Sequence, residues 1–152
     1  MNIRVDELTG PEIRQLLEEH LQHMRSLSPP ESVHALDLDA LRRPEITFWT
    51  IWSDDSKLMG SGALKSLGDG HGEIKSMRTA DVHRNKGVGQ AMLNHIVREA
   101  RTRAYTRLSL ETGSVPGFKP AQRLYTRTGF TPCGPFANYP EDPFSLFMTM
   151  EL

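Results

Sequence analysis

Three strand-like segments follow one another near the middle of the chain, separated only by short turns. Residues 46–52 are rich in β-branched and aromatic side chains, residues 57–66 alternate loosely, and residues 72–80 form a third candidate strand. The intervening turns read Asp-Asp-Ser at 54–56 and Gly-Asp-Gly-His-Gly at 68–72. Because strands joined by connections this short are antiparallel neighbours, the sequence predicts an antiparallel meander.

Helical periodicity lies on both sides of this meander. An alternating strand with Ile3 and Val5 comes first, and helices are predicted over residues 11–25, where Thr9 is a candidate cap, and 32–42. After the meander the pattern predicts, in order, a helix at 87–102, a strand at 107–111, a helix at 120–128, a strand from Phe130 onward and a strand at 145–151. This order predicts an α/β domain with a mixed sheet.

The composition excludes several classes of protein. The chain has 152 residues and a formal net charge of −1, which fits one domain over residues 1–152. No basic run marks a nucleic-acid surface, and the densest apolar patch, residues 48–52, is far too short to span a membrane. Cys133 is the single cysteine, which excludes an intrachain disulfide. We therefore expect a cytoplasmic protein that binds neither nucleic acid nor membranes.

A basic turn with two glycines joins the third strand of the meander to the next helix. It covers residues 82–92, in which Arg84 and Lys86 stand beside Gly87 and Gly89. Glycines let the backbone approach a ligand, and the first amides of a helix have no intrahelical partner, so this turn suits a phosphate group. The alternative is an ordinary turn with solvated charges.

Two nucleotide-binding patterns fit this turn poorly. Gly87 and Gly89 match the first two glycines of the dinucleotide fingerprint, and Glu111 lies at a suitable distance to meet a ribose. However, Met92 occupies the third glycine position, and an antiparallel meander precedes the turn where that fold requires a parallel strand. The Walker pattern is absent.

A third sequence pattern matches more of the residues around the turn. Residues 84–89, Arg-Asn-Lys-Gly-Val-Gly, resemble the Arg/Gln-x-x-Gly-x-Gly/Ala signature of the GNAT family of N-acetyltransferases. Residues 73–79 resemble the strand that enters this loop, and residues 121–130 resemble the closing Ala-x-x-Leu-Tyr-x-x-x-Gly-Phe element of the family. The resemblance implies the GNAT fold, with a mixed central sheet of six to seven strands and about four flanking helices.

The resemblance also implies that acetyl-coenzyme A is the acyl donor. Backbone amides of the turn would hold its pyrophosphate. In the family the sheet parts just before the turn, where the strand pairs with the pantetheine arm and an amide, here from Met77 or Arg78, faces the thioester oxygen. Phe118 replaces a common asparagine, so that an apolar contact is expected there and Thr112 becomes the candidate polar contact. The implied cofactor-binding residues are Met77, Arg78, Thr79, Arg84, Asn85, Lys86, Gly87, Val88, Gly89, Gln90, Thr112 and Phe118.

Two catalytic side chains are carried over from the same resemblance. An amine is protonated at neutral pH and needs a base before it attacks a thioester. Glu73 matches the strand position from which many members supply a glutamate, directly or through water, and Tyr125 resembles the tyrosine that protonates the departing thiolate. The alternatives are an exposed strand-end carboxylate and a packed core tyrosine.

The acceptor side is less well defined by the sequence. Trp49 and Tyr139 are candidate substrate contacts, and further pocket candidates are His34, Trp52 and Phe136. His20 and His23 lie three apart on the first helix, but no third ligand accompanies them. A helix-surface or interface role is therefore preferred for these histidines, and no metal is expected.

Three functions follow from this reading. The first is transfer of an acetyl group from acetyl-CoA to a primary amine of a small molecule, by direct attack in a ternary complex. The second is acetylation of a protein or peptide, which needs an open groove, and the third is a CoA-binding sensor without turnover. Glu73 and Tyr125 favour an enzyme. The expected partner is a small-molecule amine, and a homodimer is possible.

Overall fold

A computed structural model describes residues 1–33 and 38–152 of the chain. In these residues the strands are β1 Asn2–Val5, β2 Ile46–Trp52, β3 Leu58–Gly68, β4 His71–Thr79, β5 Arg107–Gly113, β6 Thr131–Cys133 and β7 Ser145–Glu151. The helices are α1 Pro11–Leu27, α2 Leu38–Leu41, α3 Val88–Thr102 and α4 Lys119–Thr128. Short 3₁₀ turns cover Pro30–Ser32, Asp81–His83 and Pro116–Phe118.

The strands form one sheet in the order β1-β2-β3-β4-β5-β7-β6. β4 and β5 are parallel, with α3 in the crossover between them, whereas the other neighbouring pairs are antiparallel. The predicted mixed sheet and the antiparallel meander are confirmed.

Helices cover both faces of the sheet because successive strand residues point to opposite sides. On one face, Trp49 belongs to the core that β2 shares with α3. On the other face, its neighbour Phe48 packs with Ile13 and Leu16 of α1. Gly62 lets α3 approach closely, because an added Cβ would lie only 2.7 Å from the Met92 side chain.

Three local predictions need correction. Thr9 does not cap α1, because Gly10 occupies the N-cap position and Pro11 begins the helix. The strand predicted from Phe130 onward begins one residue later, because the Phe130 amide still donates to the Tyr125 carbonyl at the end of α4. Of the helix predicted over residues 32–42, the structure shows Leu38–Leu41, and residues 34–37, including His34, lie outside the described residues.

None of the helices in the described residues combines the length and the apolar character that crossing a bilayer requires.

Candidate active site

The parallel strands β4 and β5 pair along only part of their length. Their register runs from His71 opposite Arg107 to Ile74 opposite Leu110, and no pairing continues beyond it. Ser76 has a left-handed φ of 54°, and the pairing of β3 with β4 shifts between Ser61 and Ala63. This bulge bends β4 away from β5. Residues 75–79 and 111–113 therefore face each other across a gap, which we call the β4–β5 cleft.

A side-chain hydrogen bond supports the bulge. The Ser61 hydroxyl, buried on β3, donates to the Ser76 carbonyl oxygen at 2.8 Å. The cleft opens into a cavity of about 160 Å³ lined by α1, β4, β5 and the loop before β7. The position predicted for parting of the sheet, around Met77 and Arg78, is thus where β4 lacks a β5 partner.

Glu73 lies on the cavity wall and is not an exposed strand-end carboxylate. It is only 2% exposed, and its Oε2 accepts hydrogen bonds from Lys75 Nζ at 3.0 Å and from the Tyr139 hydroxyl at 2.5 Å. Lys75 Nζ also donates to the Tyr139 oxygen at 2.9 Å. Burial, followed by the charge of Glu73, raises the pKa of Tyr139. The sequence therefore identified two members of a three-residue cluster but missed Lys75.

Glu111 is a second carboxyl group in the same cavity, and sequence reasoning connected it only with a ribose. Burial raises its pKa to about 7, against smaller opposing effects of Ser145 and Lys75. The alternation of side chains along β5 was the sequence signal that could have identified Glu111. Leu108 and Leu110 belong to the α3-side core, which places Glu111 on the opposite face.

Tyr125 projects from α4 to the cavity and also contacts the core. Its ring packs edge-on against Phe130 with centroids 6.0 Å apart, and the residue is buried. Burial raises the pKa of its hydroxyl, and the charge of Glu111 adds to this effect. The hydroxyl is therefore protonated at neutral pH.

The basic turn has the geometry of an anion site. Asn85 and Gly87 have left-handed φ values of 62° and 79°, and α3 begins at Val88. The first intrahelical bond runs from the Ala91 amide to the Gly87 carbonyl, so the amides before Ala91 have no partner in the helix. The dipole of α3 adds partial positive charge at this end.

The side chains of the turn are held partly by local contacts. Arg84 pairs with Asp81 at 2.9 Å, and Lys86 Nζ lies 3.5 Å from His83 Nδ1. The Gln90 side chain joins α3 to α4, because it donates to Thr128 and accepts from Arg127. A Cβ added at Gly89 would lie 3.2 Å from Leu124, so this glycine lets the two helices approach closely.

Thr112 and Phe118 both line the cavity. Thr112 is buried near the end of β5, and the Phe118 ring covers Gly113, where an added Cβ would lie 2.0 Å from the ring. Thr79, at the end of β4, lies next to α3, with its hydroxyl 3.7 Å from a Cβ built on Gly89. These positions place Thr112 and Phe118 beside the cleft.

The cavity also has a basic corner, formed by His20, His23 and Arg78. His20 lines the cavity, and burial lowers its pKa to about 4, with Arg78 and His23 adding to the shift. His20 therefore lies in the cavity lining and not, as expected from the sequence, on the exposed surface of the helix. Among the described residues, no group of three or more His, Cys, Asp or Glu side chains is arranged to hold a metal ion.

Trp49 does not line this cavity. It is 3% exposed in the core on the α3 face, and its ring packs edge-on against His95 with centroids 5.2 Å apart. Its placement on the far face of the sheet contradicts the predicted substrate contact. Trp52 instead donates to Thr50 at the end of β2, while Phe136 packs against Tyr139 with ring centroids 5.3 Å apart.

Comparison with known proteins shows the family of the chain. A sequence model of the acetyltransferase (GNAT) family matches residues 11–130. A Bacillus subtilis protein named uncharacterized N-acetyltransferase YsnE is 56% identical over 152 residues, covering all of both chains. A protein named IAA acetyltransferase from Azospirillum brasilense is 37% identical, over 91% of this chain and 89% of its own.

Solved structures share the fold over nearly the whole chain. A Klebsiella pneumoniae structure assigned as an acyl-CoA N-acyltransferase has a TM-score of 0.82 at 28% identity, covering 99% of this chain and 97% of its own. A Bacillus subtilis acetyltransferase in complex with CoA has a TM-score of 0.73 at 18% identity, covering 99% and 98%. With a family match over most of its length and closely related N-acetyltransferases, this chain belongs to the GNAT family of acyl-CoA-dependent N-acetyltransferases.

Proposed function

We propose that this N-acetyltransferase transfers the acetyl group of acetyl-CoA to the primary amine of a small molecule, by direct attack in a ternary complex. The observation that carries this proposal is the cavity at the β4–β5 cleft. Glu73, Glu111 and Tyr125 line one space of about 160 Å³. That space therefore offers groups that can accept and donate protons beside an unpaired strand edge.

The residues around the cleft fit the two ends of the donor. Acetyl-CoA supplies an acyl thioester on a long polar arm that ends in phosphates. The free amides at the start of α3, with Arg84 and Lys86 nearby, suit the pyrophosphate. Residues 75–79 of β4 have no β5 partner, which leaves backbone groups for the pantetheine arm, and an amide of Met77 or Arg78 is suited to donate to the thioester oxygen.

Glu73 is the proposed proton acceptor for the attacking amine, directly or through water. Its burial beside Lys75 and Tyr139 fixes the position of its carboxylate. Tyr125 is the proposed proton donor to the departing thiolate, because its raised pKa keeps the hydroxyl protonated at neutral pH. Each proton transfer of this kind contributes about 10²- to 10⁴-fold to a rate.

The size of the cavity favours a small acceptor over a protein tail. α1, β4, β5 and the loop carrying Tyr139 line it, and a volume of about 160 Å³ suits a compact ligand better than an extended chain. The relative named IAA acetyltransferase supports acetyl transfer as the reaction. The side chains suited to proton transfer favour turnover over a sensor function.

Two-substrate kinetics test direct attack. With acetyl-CoA and the amine both varied, a ternary complex gives intersecting double-reciprocal lines, and the intact mass of the protein stays unchanged after exposure to acetyl-CoA alone. Parallel lines together with an acetylated protein intermediate would overturn the mechanism. Release of CoA without any acetylated acceptor would overturn the proposed activity.

A further inference from the structure

Two buried nitrogen atoms in the basic corner have no hydrogen-bond partner. They are Arg78 Nε on β4 and His20 Nδ1 on α1, and neither atom has a partner among residues 1–33 and 38–152. Both residues line the same cavity as Glu73. Buried polar atoms in folded proteins are nearly always hydrogen-bonded, and an unsatisfied one is costly, so a pair of them at one cavity indicates a ligand group.

The charges at this corner favour an anion. The Arg78 side chain is only 7% exposed, and its Nη2 donates to Asp81 at 3.2 Å. Asp81 is itself shared, because the same oxygen accepts from Arg84 at 2.9 Å. Two guanidinium groups thus face one carboxylate, which leaves Arg78 Nε to bind a further acceptor.

His20 adds a neutral hydrogen-bonding group. Its pKa of about 4 leaves the imidazole uncharged at neutral pH, so that one ring nitrogen donates and the other accepts. His23 lies one turn further along α1 on the same cavity wall. The corner therefore combines one cation with neutral imidazole groups that form directional hydrogen bonds. This combination suits a single carboxylate better than a multiply charged phosphate cluster.

A second part of the cavity lining has the complementary character. Glu73 and Glu111 lie there, and both carboxyl groups can accept hydrogen bonds from an amine. Glu73 and Arg78 are five residues apart on the bulged strand β4, which at the usual rise spaces their backbones by roughly 15 Å. A molecule with an amine at one end and an anion at the other would satisfy both parts of the cavity lining.

We propose that the acceptor is an amino carboxylate, whose carboxylate binds Arg78 and His20 while its amine points toward the Glu73 side of the cavity. This inference rests on the proposed function, because it names the class of acceptor for the same site. It assigns the Arg78 side chain a role separate from that of the β4 backbone, which faces the donor. Arg78 is then the residue that determines acceptor specificity.

Matched acceptor pairs test this inference. Amino acids with the amine and carboxylate at different separations are compared with their carboxamides, at equal concentrations of free amine. Thiol release gives kcat and KM, and calorimetry in the presence of CoA gives the Kd of each compound. The expected result is a preference for carboxylates of about 10- to 100-fold in KM and Kd, the usual worth of a hydrogen bond to a charged group.

Variants assign the preference to Arg78. In Arg78→Gln the ratio of carboxamide to carboxylate KM should fall to about one, and Arg78→Lys should restore part of it because the charge is kept. Arg98→Gln, on the exposed side of α3, is the matched control and should keep the wild-type ratio. If Arg78→Gln does not fold, the comparison of carboxylates with carboxamides on the wild-type protein still tests whether the acceptor site prefers an anion.

The two proposals fail in different ways. Equal KM and Kd for carboxylates and carboxamides, with acetylation of both, would overturn the anion inference and leave the proposed function standing. The inference would also be overturned by a preference that survives unchanged in Arg78→Gln. Arg78-dependent binding of carboxylates without acetyl transfer would support the inference and overturn the proposed function.

Discussion

The hydroxyl of Tyr139 donates a hydrogen bond of 2.5 Å to Glu73 Oε2, although the two residues are 66 positions apart in the chain. Lys75 donates to the same oxygen, so the proposed base is held by two donors on its buried wall. The loop before β7 and the strand β4 are thereby joined at the proposed site of proton transfer. This arrangement makes the loop part of the candidate active site.

Replacing Glu73 tests its role as the proton acceptor. We expect Glu73→Gln to lower kcat/KM by about 10²- to 10⁴-fold, because the amide cannot take up the proton of the amine. The substitution also leaves the buried Lys75 without its charged partner, which lowers stability. The measurement is thiol release, accompanied by the free energy of unfolding from urea titration.

The double variant Glu73→Gln with Lys75→Met separates chemistry from stability. With both charges removed, the free energy of unfolding should return toward the wild-type value while turnover stays low. If Glu73→Gln turns over at the wild-type rate, Glu73 is not the base.

Tyr125→Phe tests the proposed proton donor. The ring and its packing against Phe130 are kept, so we expect little change in stability but a fall in kcat of roughly 10- to 100-fold at unchanged KM for acetyl-CoA. Tyr105→Phe, at a partly buried core tyrosine away from the cavity, is the control. Equal kcat values for the two variants would remove Tyr125 from the mechanism.

Glu111 should make stability depend on pH. In the unfolded chain its carboxyl group ionises near 4.5, whereas in the folded protein it keeps its proton up to about 7. Glu111 therefore binds more protons in the folded state between these values, and its contribution to stability falls as the pH rises from 4.5 to 7, by at most about 3 kcal/mol.

Glu111→Gln removes this effect because the amide does not ionise. Relative to the wild type, the variant should gain stability progressively between pH 5 and pH 8, and the contribution of His20 cancels in the difference. Unfolding free energies at these pH values provide the measurement. A constant difference across the range would show that Glu111 titrates normally in the folded protein.

Gly87→Ala tests the anion turn. Gly87 has a φ of 79°, a conformation that costs a residue with a Cβ about 1–2 kcal/mol. We expect a loss of stability of that order and weaker CoA binding, measured by calorimetry, because the turn relaxes away from its left-handed geometry. Gly134→Ala, where a Cβ meets no atom within 4 Å, is the control. CoA binding unchanged in Gly87→Ala would place the pyrophosphate elsewhere.

The sequence predicted the framework well because its signals are local. The bounds of β2 and β7 and the helix stop at Gly129 follow from periodicity and turn residues, which report the local chain. The pairing of Glu73 with Tyr139 and the basic corner around Arg78 depend on how distant elements meet. The parting of β4 from β5 is expected only through the family resemblance, and the approach of α1 to Arg78 leaves no pattern in one segment.

Trp49 shows that a local pattern can also predict a site residue wrongly. In the run Phe-Trp at 48–49, adjacent aromatic residues face opposite sides of the sheet, and both sides are covered by helices. Periodicity alone therefore cannot tell which of the two rings faces the substrate side.

The most direct test of the account is thiol release from acetyl-CoA by dialysed wild-type protein across a panel of small primary amines and peptides, with products identified by mass spectrometry. We predict one thiol released for each N-acetylated small amine, with peptides poorer by at least about tenfold in kcat/KM. Binding of CoA without acetylation of any amine or peptide would contradict the account.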